Sequence, residues 1–247
     1  MIRVSLRFYG DLNNLLFGGF TGPMIQRQLP GPSSVKDLIE GCGVPHTEVD
    51  MILANNRTVD FSYLVQDDQQ ISVYPFFNHL DMPASMRLQR PMLFKNCFLV
   101  DANLGKLARY LRMAGFDTAY IREQADEEII NQMLGEQRAL LSRDRKLLMH
   151  KVVEYGYLPR SDDPAEQLCE VCRRFDLFDA VHPFSRCPNC NGLLQSVSKE
   201  EIINQLEPLT KKHFEDFSQC PNCRQIYWAG SHRRRLDPKV KEILNRT

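Results

Sequence analysis

Apolar and polar residues alternate at the start of the chain: Ile2, Val4, Leu6 and Phe8 are apolar, Arg3, Ser5 and Arg7 polar. A period of two predicts a half-buried strand. "MIQRQL" predicts a partner strand. "SSVKDLIEGCG" predicts a helix, with Ser34 three residues before Asp37 at its start and Gly41 at its stop. "EVDMILANNRTVD" places an Asn-Asn turn after an apolar run, and "DDQQISVYPF" closes with another strand. The order over residues 1–77 is therefore strand, strand, helix, strand, strand.

Residues 78–95, "NHLDMPASMRLQRPMLFK", contain two prolines and no clear period, which predicts a linker. Over residues 96–180 short apolar runs alternate with helical periods. They are "CFLV", a helix near 104–115, "DTAYI", a helix near 126–137, "RALLS", a helix near 145–154, "GYLPRS" and a helix near 164–175. That alternation predicts an α/β domain with a parallel sheet covered on both faces. In such sheets ligands gather beyond the carboxyl ends of the strands. Residues 181–247 contain an imperfect repeat, "RCPNCNG" and "QCPNCRQ", with a helix predicted in "SKEEIINQL" between them and a basic tail, "SHRRRLDPKVKEI", after them.

Of the 247 residues, 43% are hydrophobic and 25% charged, ordinary values for a globular chain. No apolar run approaches the ~20 residues of a membrane span. "MIRVSLRFYG" has no apolar leader segment, and the eight cysteines fall mostly in C-x-x-C pairs. Metal binding in a reducing, cytoplasmic setting is expected rather than disulfides or a membrane. The net charge is zero but uneven. Residues 1–77 carry five Lys/Arg against eight Asp/Glu, residues 86–160 thirteen against nine, and residues 224–247 seven against two. A basic middle and tail suit a polyanion partner, and equally a solvated surface.

The run "FLVDANLGKLARYLRMAGFD" delivers Asp101 directly after a buried-looking strand, and "ALLSRD" delivers Asp144 in the same way. Asp126 opens the helical "ADEEII" and Asp163 precedes Pro164 before the next helix, with Glu127, Glu128 and Asp162 nearby. Carboxylates gathered at one sheet edge repel unless divalent cations such as Mg²⁺ or Mn²⁺ join them. Two such ions can activate water and steady a phosphodiester in hydrolysis. Asp126 and Asp163 also suit helix starts, and Asp144 also suits a loop acid paired with Arg143 or Arg145. In the helix after Asp101, Leu104, Leu107, Ala108 and Leu111 form the apolar face, while Lys106, Arg109 and Arg112 recur at spacing three. That row is a candidate phosphate clamp beside an acidic site, or a solvated face.

Cys187, Cys190, Cys220 and Cys223 form two C-P-N-C turns, the donor set of a closed structural zinc site. The 29 residues between the pairs make a long insert. Cys169 and Cys172 lie in a helical period without Gly or Pro; Cys172 reads as core, unless this pair replaces one ribbon pair. Cys42 and Cys97 read as lone core thiols. His182 and His213 flank the ribbon as surface or core residues, with spare ligation the alternative. Tyr227 and Trp228 are candidates for base stacking or for covering the zinc core, and Arg233, Arg234 and Arg235 for a polyanion backbone or for a solvated tail.

Residues 1–77, including "RFYGDL", resemble the β-grasp of the ubiquitin-like sulfur carriers of thiamin and molybdopterin synthesis. The closing strand runs on as "YPFFNHLDMP", without the free Gly-Gly end that carrier chemistry needs, so a docking or binding module for a protein partner is expected. "FLVDANLGKLARYLRMAGFDTAY", "ADEEII", "ALLSRDRKLL", "SDDPAEQL", "RCPNCNGLL" and "CPNCRQIYWAGSH" together resemble the Mut-seven C-terminal ribonuclease domain family over about residues 96–235. That resemblance implies a PIN-like nuclease fold with a C-terminal zinc ribbon and metal-dependent RNA hydrolysis. It assigns the acidic positions to Asp101, Asp126, Asp144 and Asp163, with Asp162 the other acid of "SDDP", and it lets Ser142 support Asp144. Lys106, Arg109, Arg112, Arg143 and Arg145 are then expected to hold RNA with the arginines of the tail. An RNA-binding adaptor on a degenerate nuclease fold is the alternative.

Overall fold

The structure, a computed structural model, describes residues 1–18, 23–77, 87–88, 96–228 and 236–245. Most of the expected linker and Arg233, Arg234 and Arg235 lie outside the described residues.

The alternation at the start of the chain becomes β1 (Ile2–Phe8), with Val4, Leu6 and Phe8 buried. β2 (Ile25–Leu29) pairs antiparallel with β1, and β5 (Gln69–Pro75) pairs parallel with it. β3 (Val49–Ala54) and the short β4 (Arg57–Thr58) complete the order β2-β1-β5-β3-β4. Asn55 and Asn56, at φ 46° and 65°, supply the two left-handed residues that a tight β3–β4 hairpin requires. Helix α1 (Val35–Glu40) begins where the Ser34 hydroxyl accepts the Asp37 N–H at 3.1 Å. One helix against a mixed sheet with parallel central strands is the β-grasp arrangement.

The second sheet is wholly parallel. Its strands are β6 (Cys97–Val100), β7 (Asp117–Tyr120), β8 (Ala139–Leu141) and β9 (Gly156–Tyr157), in the order β7-β6-β8-β9. Helices α2 (Gly105–Met113), α3 (Asp126–Glu136), α4 (Arg145–Leu148) and α5 (Pro164–Phe175) alternate with them. α4 is shorter than the predicted 145–154. The β-branched Val152 and Val153 favour helix poorly, and Val153 turns inward, its carbonyl 2.8 Å from His46 Nε2.

Side chains alternate across this sheet. Phe98, Val100, Ala139 and Leu141 join α2 and α5 in one core. Leu99 and Leu140 join Ile129, Ile130 and Met133 of α3 in another, and that core is continuous with Val4, Leu6 and Ile39 of the β-grasp domain. The front domain therefore shares a hydrophobic core with the second sheet, closer than a docking module on a linker would require.

The cysteine-rich part has a three-stranded antiparallel sheet, β10 (Gln195–Val197), β11 (Phe217–Gln219) and β12 (Ile226–Trp228). Helices α6 (Lys199–Ile202) and α7 (Pro208–His213) fill the long insert. The expected tail ends in a helix, α8 (Pro238–Leu244), which buries Val240, Ile243 and Leu244 in the core beside α5. Its signal was present in the Asp237–Pro238 pair, a cap followed by a first-turn proline, as at Asp163–Pro164. Among the described residues no helix is long and apolar enough to cross a membrane.

Gly115 ends α2 at φ +98°, and a Cβ there would lie 2.4 Å from the His182 carbonyl oxygen. The crossing is close because His182 N–H donates to the Ala114 carbonyl at 2.9 Å and Phe184 N–H to that of Met113 at 2.8 Å. Gly115→Ala is expected to cost roughly 2–4 kcal/mol through strain and crowding together. Urea unfolding would show it, and an unchanged midpoint would refute the crossing geometry.

Candidate functional site

In a parallel sheet every strand ends at the same edge, and each following helix starts there. Here each strand delivers one aspartate to that edge. Asp101 follows β6, Asp144 follows β8, and Asp126 and Asp163 stand at the starts of α3 and α5, after β7 and β9. Across the sheet their order is Asp126, Asp101, Asp144, Asp163. The chain leaves β6 for β7 on one side and then crosses to β8 on the other, so the strand order reverses between β6 and β8. In open α/β sheets ligands bind at such reversals, and Asp101 and Asp144 follow the two strands on either side of this one.

Ser142 joins the two aspartates. Its buried hydroxyl donates to Asp101 Oδ2 at 2.8 Å and accepts the Asp144 N–H at 2.9 Å. The serine thus serves the Asp101 carboxylate and the Asp144 main chain, where a hydrogen bond supporting Asp144 was expected. Asp101 Oδ1 accepts the Ala102 N–H at 2.6 Å. Asp144 caps α4 through Oδ1, which accepts the N–H groups of Lys146 at 2.8 Å and Leu147 at 3.3 Å. Among the described residues Asp144 Oδ2 has no hydrogen-bond partner, so it is open to a ligand.

The outer acids differ. Asp126 is exposed in the first turn of α3. Asp163 caps α5 by accepting the Ala165 N–H at 3.0 Å and lies 3.9 Å from Lys239 Nζ. Asp162 is paired with Arg143 at 2.6 Å. Adjacent strands are ~4.8 Å apart, and Asp126 and Asp163 follow the two outermost strands, β7 and β9. Among the described residues, carboxylates nowhere form a group of three with ligand atoms within 4.8 Å of one another.

The basic residues separate. Lys106 and Arg109 are exposed on the first turns of α2, the end nearest the acidic edge. Arg112 departs from that row: it is 8% exposed, its Nε donates to the Thr118 carbonyl at 2.8 Å and its Nη1 to that of Asn189 at 2.8 Å. Spacing three put it on the same helix, but the ribbon covers it there. Arg145 is also engaged elsewhere, donating to the Leu15 carbonyl at 2.6 Å and lying 5.4 Å over the Phe17 ring. Both arginines are tied to other parts of the protein, which a free RNA clamp would not be.

The cysteines do assemble. The Sγ atoms of Cys187, Cys190, Cys220 and Cys223 all lie within 4.8 Å of one another, with Cys187–Cys223 at 3.6 Å and Cys190–Cys220 at 3.4 Å. Zn–S bonds of ≈ 2.3 Å in a tetrahedron set S–S separations of roughly 3.8 Å. The two turns match: Asn191 and Arg224 have φ 71° and 62°, and their N–H groups donate to the carbonyls of Cys187 and Cys220 at 2.9 Å each. Burial, together with the neighbouring thiols, pushes the Cys190 thiol up to about 12, and a bound cation removes that penalty by taking thiolates. Cys169 and Cys172 are buried in α5, apart from this set. Trp228 packs against Phe214 and Phe217, covering the small ribbon core. Tyr227 places its hydroxyl 3.0 Å from Cys187 Sγ, a ligand-supporting contact that its aromatic character did not signal.

The first turn is also joined to the edge strand β7. The Asn191 side chain accepts the Thr118 N–H at 3.0 Å and donates to Asp117 at 2.9 Å. Burial works against the Asp117 charge, but Asn191, Arg138 and Arg186 outweigh it and hold the carboxyl below its ordinary value.

The comparisons follow this division. No curated protein matches the chain. Two crystal structures of small archaeal modifier protein 1 from Haloferax volcanii resemble part of it, at 12% and 10% identity. They cover 30% and 31% of this chain and 98% and 97% of theirs, with TM-scores of 0.25 and 0.26. The Mut7-C ubiquitin family model matches residues 1–81, the part that holds the β-grasp sheet. The Mut7-C RNAse domain model matches residues 96–240, spanning the parallel sheet, its acidic edge and the four-cysteine centre. With more than half its length inside that second match, the chain belongs to the Mut7-C RNAse domain family.

Proposed function

We propose that this protein is a metal-dependent ribonuclease whose reaction centre lies between Asp101 and Asp144. The observation that carries this reading is the Ser142 bridge, which holds the two aspartates together at the strand-order reversal of a sheet in the RNAse domain family. The residues present fit a hard divalent cation: the donors are carboxylate oxygens, and Asp144 Oδ2 is open. Asp101 and Asp144 would hold Mg²⁺ or Mn²⁺, with Asp126 and Asp163 at the flanks. A bound cation supplies charge neutralisation and a water of lowered pKa. Ser142 orients Asp101, and Lys106 and Arg109 hold the RNA backbone where it enters the acidic edge. The four cysteines hold structural zinc. Residues 1–77 form the ubiquitin-like domain, 78–95 the linker, 96–180 the nuclease domain and 181–247 the ribbon with its C-terminal segment.

Purified protein incubated with Mn²⁺ and a mixed RNA pool tests the reading by end mapping. Cleavage that vanishes in Asp101→Asn and Asp144→Asn is the expected result. Equal RNA binding without cutting by all three proteins would support the non-catalytic adaptor instead.

A further inference from the structure

Glu48 is a carboxylate of the ubiquitin-like domain whose side chain is 2% exposed. It belongs to no hydrogen bond of its own sheet ladder: Oε1 accepts the Leu158 N–H at 2.8 Å, and Oε2 accepts from Arg160 Nη2 at 2.7 Å. Burying a carboxylate between two domains is costly unless it makes specific hydrogen bonds. Both partners lie in residues 158–163, which leave the two-residue strand β9 and end at Asp163.

Beyond β9 this segment has no strand partner, so its N–H groups need other acceptors. Glu170 of α5 takes those of Arg160 at 2.7 Å and Ser161 at 3.0 Å, and Glu48 takes that of Leu158 from the opposite side. Two carboxylates, one from each domain, thus hold the segment between them. Its Arg160 carbonyl accepts from Arg143 Nη2 at 3.4 Å, and Arg143 Nη1 is paired with Asp162. Arg143 stands between Ser142 and Asp144 in the chain.

We propose that Glu48 of the ubiquitin-like domain is a positioning residue for the nuclease edge, fixing residues 158–163 and, through Arg143, the loop that carries Ser142 and Asp144. The proposal rests on the nuclease reading above. The ubiquitin-like domain is then a working part of the nuclease site as well as a surface for partners.

Glu48→Ala, Glu48→Gln and His46→Ala in the full chain test it. His46 is another tie between the domains, its Nε2 lying 2.8 Å from the Val153 carbonyl. Glu48→Ala is expected to lower single-turnover Mn²⁺-dependent RNA cleavage by roughly ten- to a hundredfold, with KM for RNA unchanged. Amide exchange should rise within residues 158–163. Glu48→Gln, which keeps an acceptor for Leu158 N–H, should recover part of the rate, and His46→Ala should cut at the parent rate. Three results overturn the proposal alone while the parent cuts and Asp101→Asn does not. These are parental cleavage by Glu48→Ala, unchanged exchange at residues 158–163, or an equal rate loss in His46→Ala. A parent that does not cut overturns the nuclease reading and this proposal with it.

Discussion

Asp101→Asn is expected to reduce Mn²⁺-dependent RNA cleavage by on the order of a thousandfold without unfolding the protein. Asparagine keeps a carbonyl oxygen for the Ala102 N–H that Asp101 now binds at 2.6 Å. Its amide cannot replace a charged carboxylate toward a cation, and the Ser142 hydroxyl that now donates to Asp101 Oδ2 loses its ionised acceptor. Removing one of two neighbouring negative charges also relieves repulsion in the metal-free protein. The melting temperature without metal should therefore hold or rise while activity is lost. Loss of both together would mean that Asp101 serves the fold, and retained cleavage would place the chemistry elsewhere.

The second large effect is metal removal from the four cysteines. The ribbon's own buried cluster is small: Ile202, Leu206, Phe217 and Ile226. A core of four side chains is too small to hold residues 185–228 in place unaided. Structural zinc supplies folding free energy of about 10–16 kcal/mol in zinc-finger peptides, so the apo ribbon should unfold.

The loss should extend into the nuclease sheet. Thr118 N–H would lose its Asn191 acceptor, and buried Arg112 would lose the Asn189 and Pro188 carbonyls. Chelation should therefore expose the Thr118 amide to exchange as well as the amides of β10–β12, and Cys220→Ser should do the same. Full protection after stoichiometric zinc removal would contradict the account.

Much of this was legible where local chemistry determines structure. α5 begins and ends where the Asp163–Pro164 pair and the helical period place it, and Asp101 and Asp144 emerge at strand ends as the apolar runs require. The four-cysteine centre follows from two matching turns. What was not legible depends on what covers a face. Lys106, Arg109 and Arg112 share a spacing, but only tertiary packing buries Arg112 beneath the ribbon. Leu99 and Leu140 read as buried without indicating that part of their cover comes from the ubiquitin-like domain. Ser142 was recognisable as a support, yet its donation to Asp101 depends on β6 and β8 being neighbours.

Soaking crystals in Mn²⁺ and recording anomalous scattering at the manganese edge tests the central claim most directly. A peak bound by Asp101 and Asp144 beside Ser142, absent from Asp101→Asn crystals, is the predicted result. An edge that stays empty at saturating Mn²⁺, or a peak held by other residues, would contradict it.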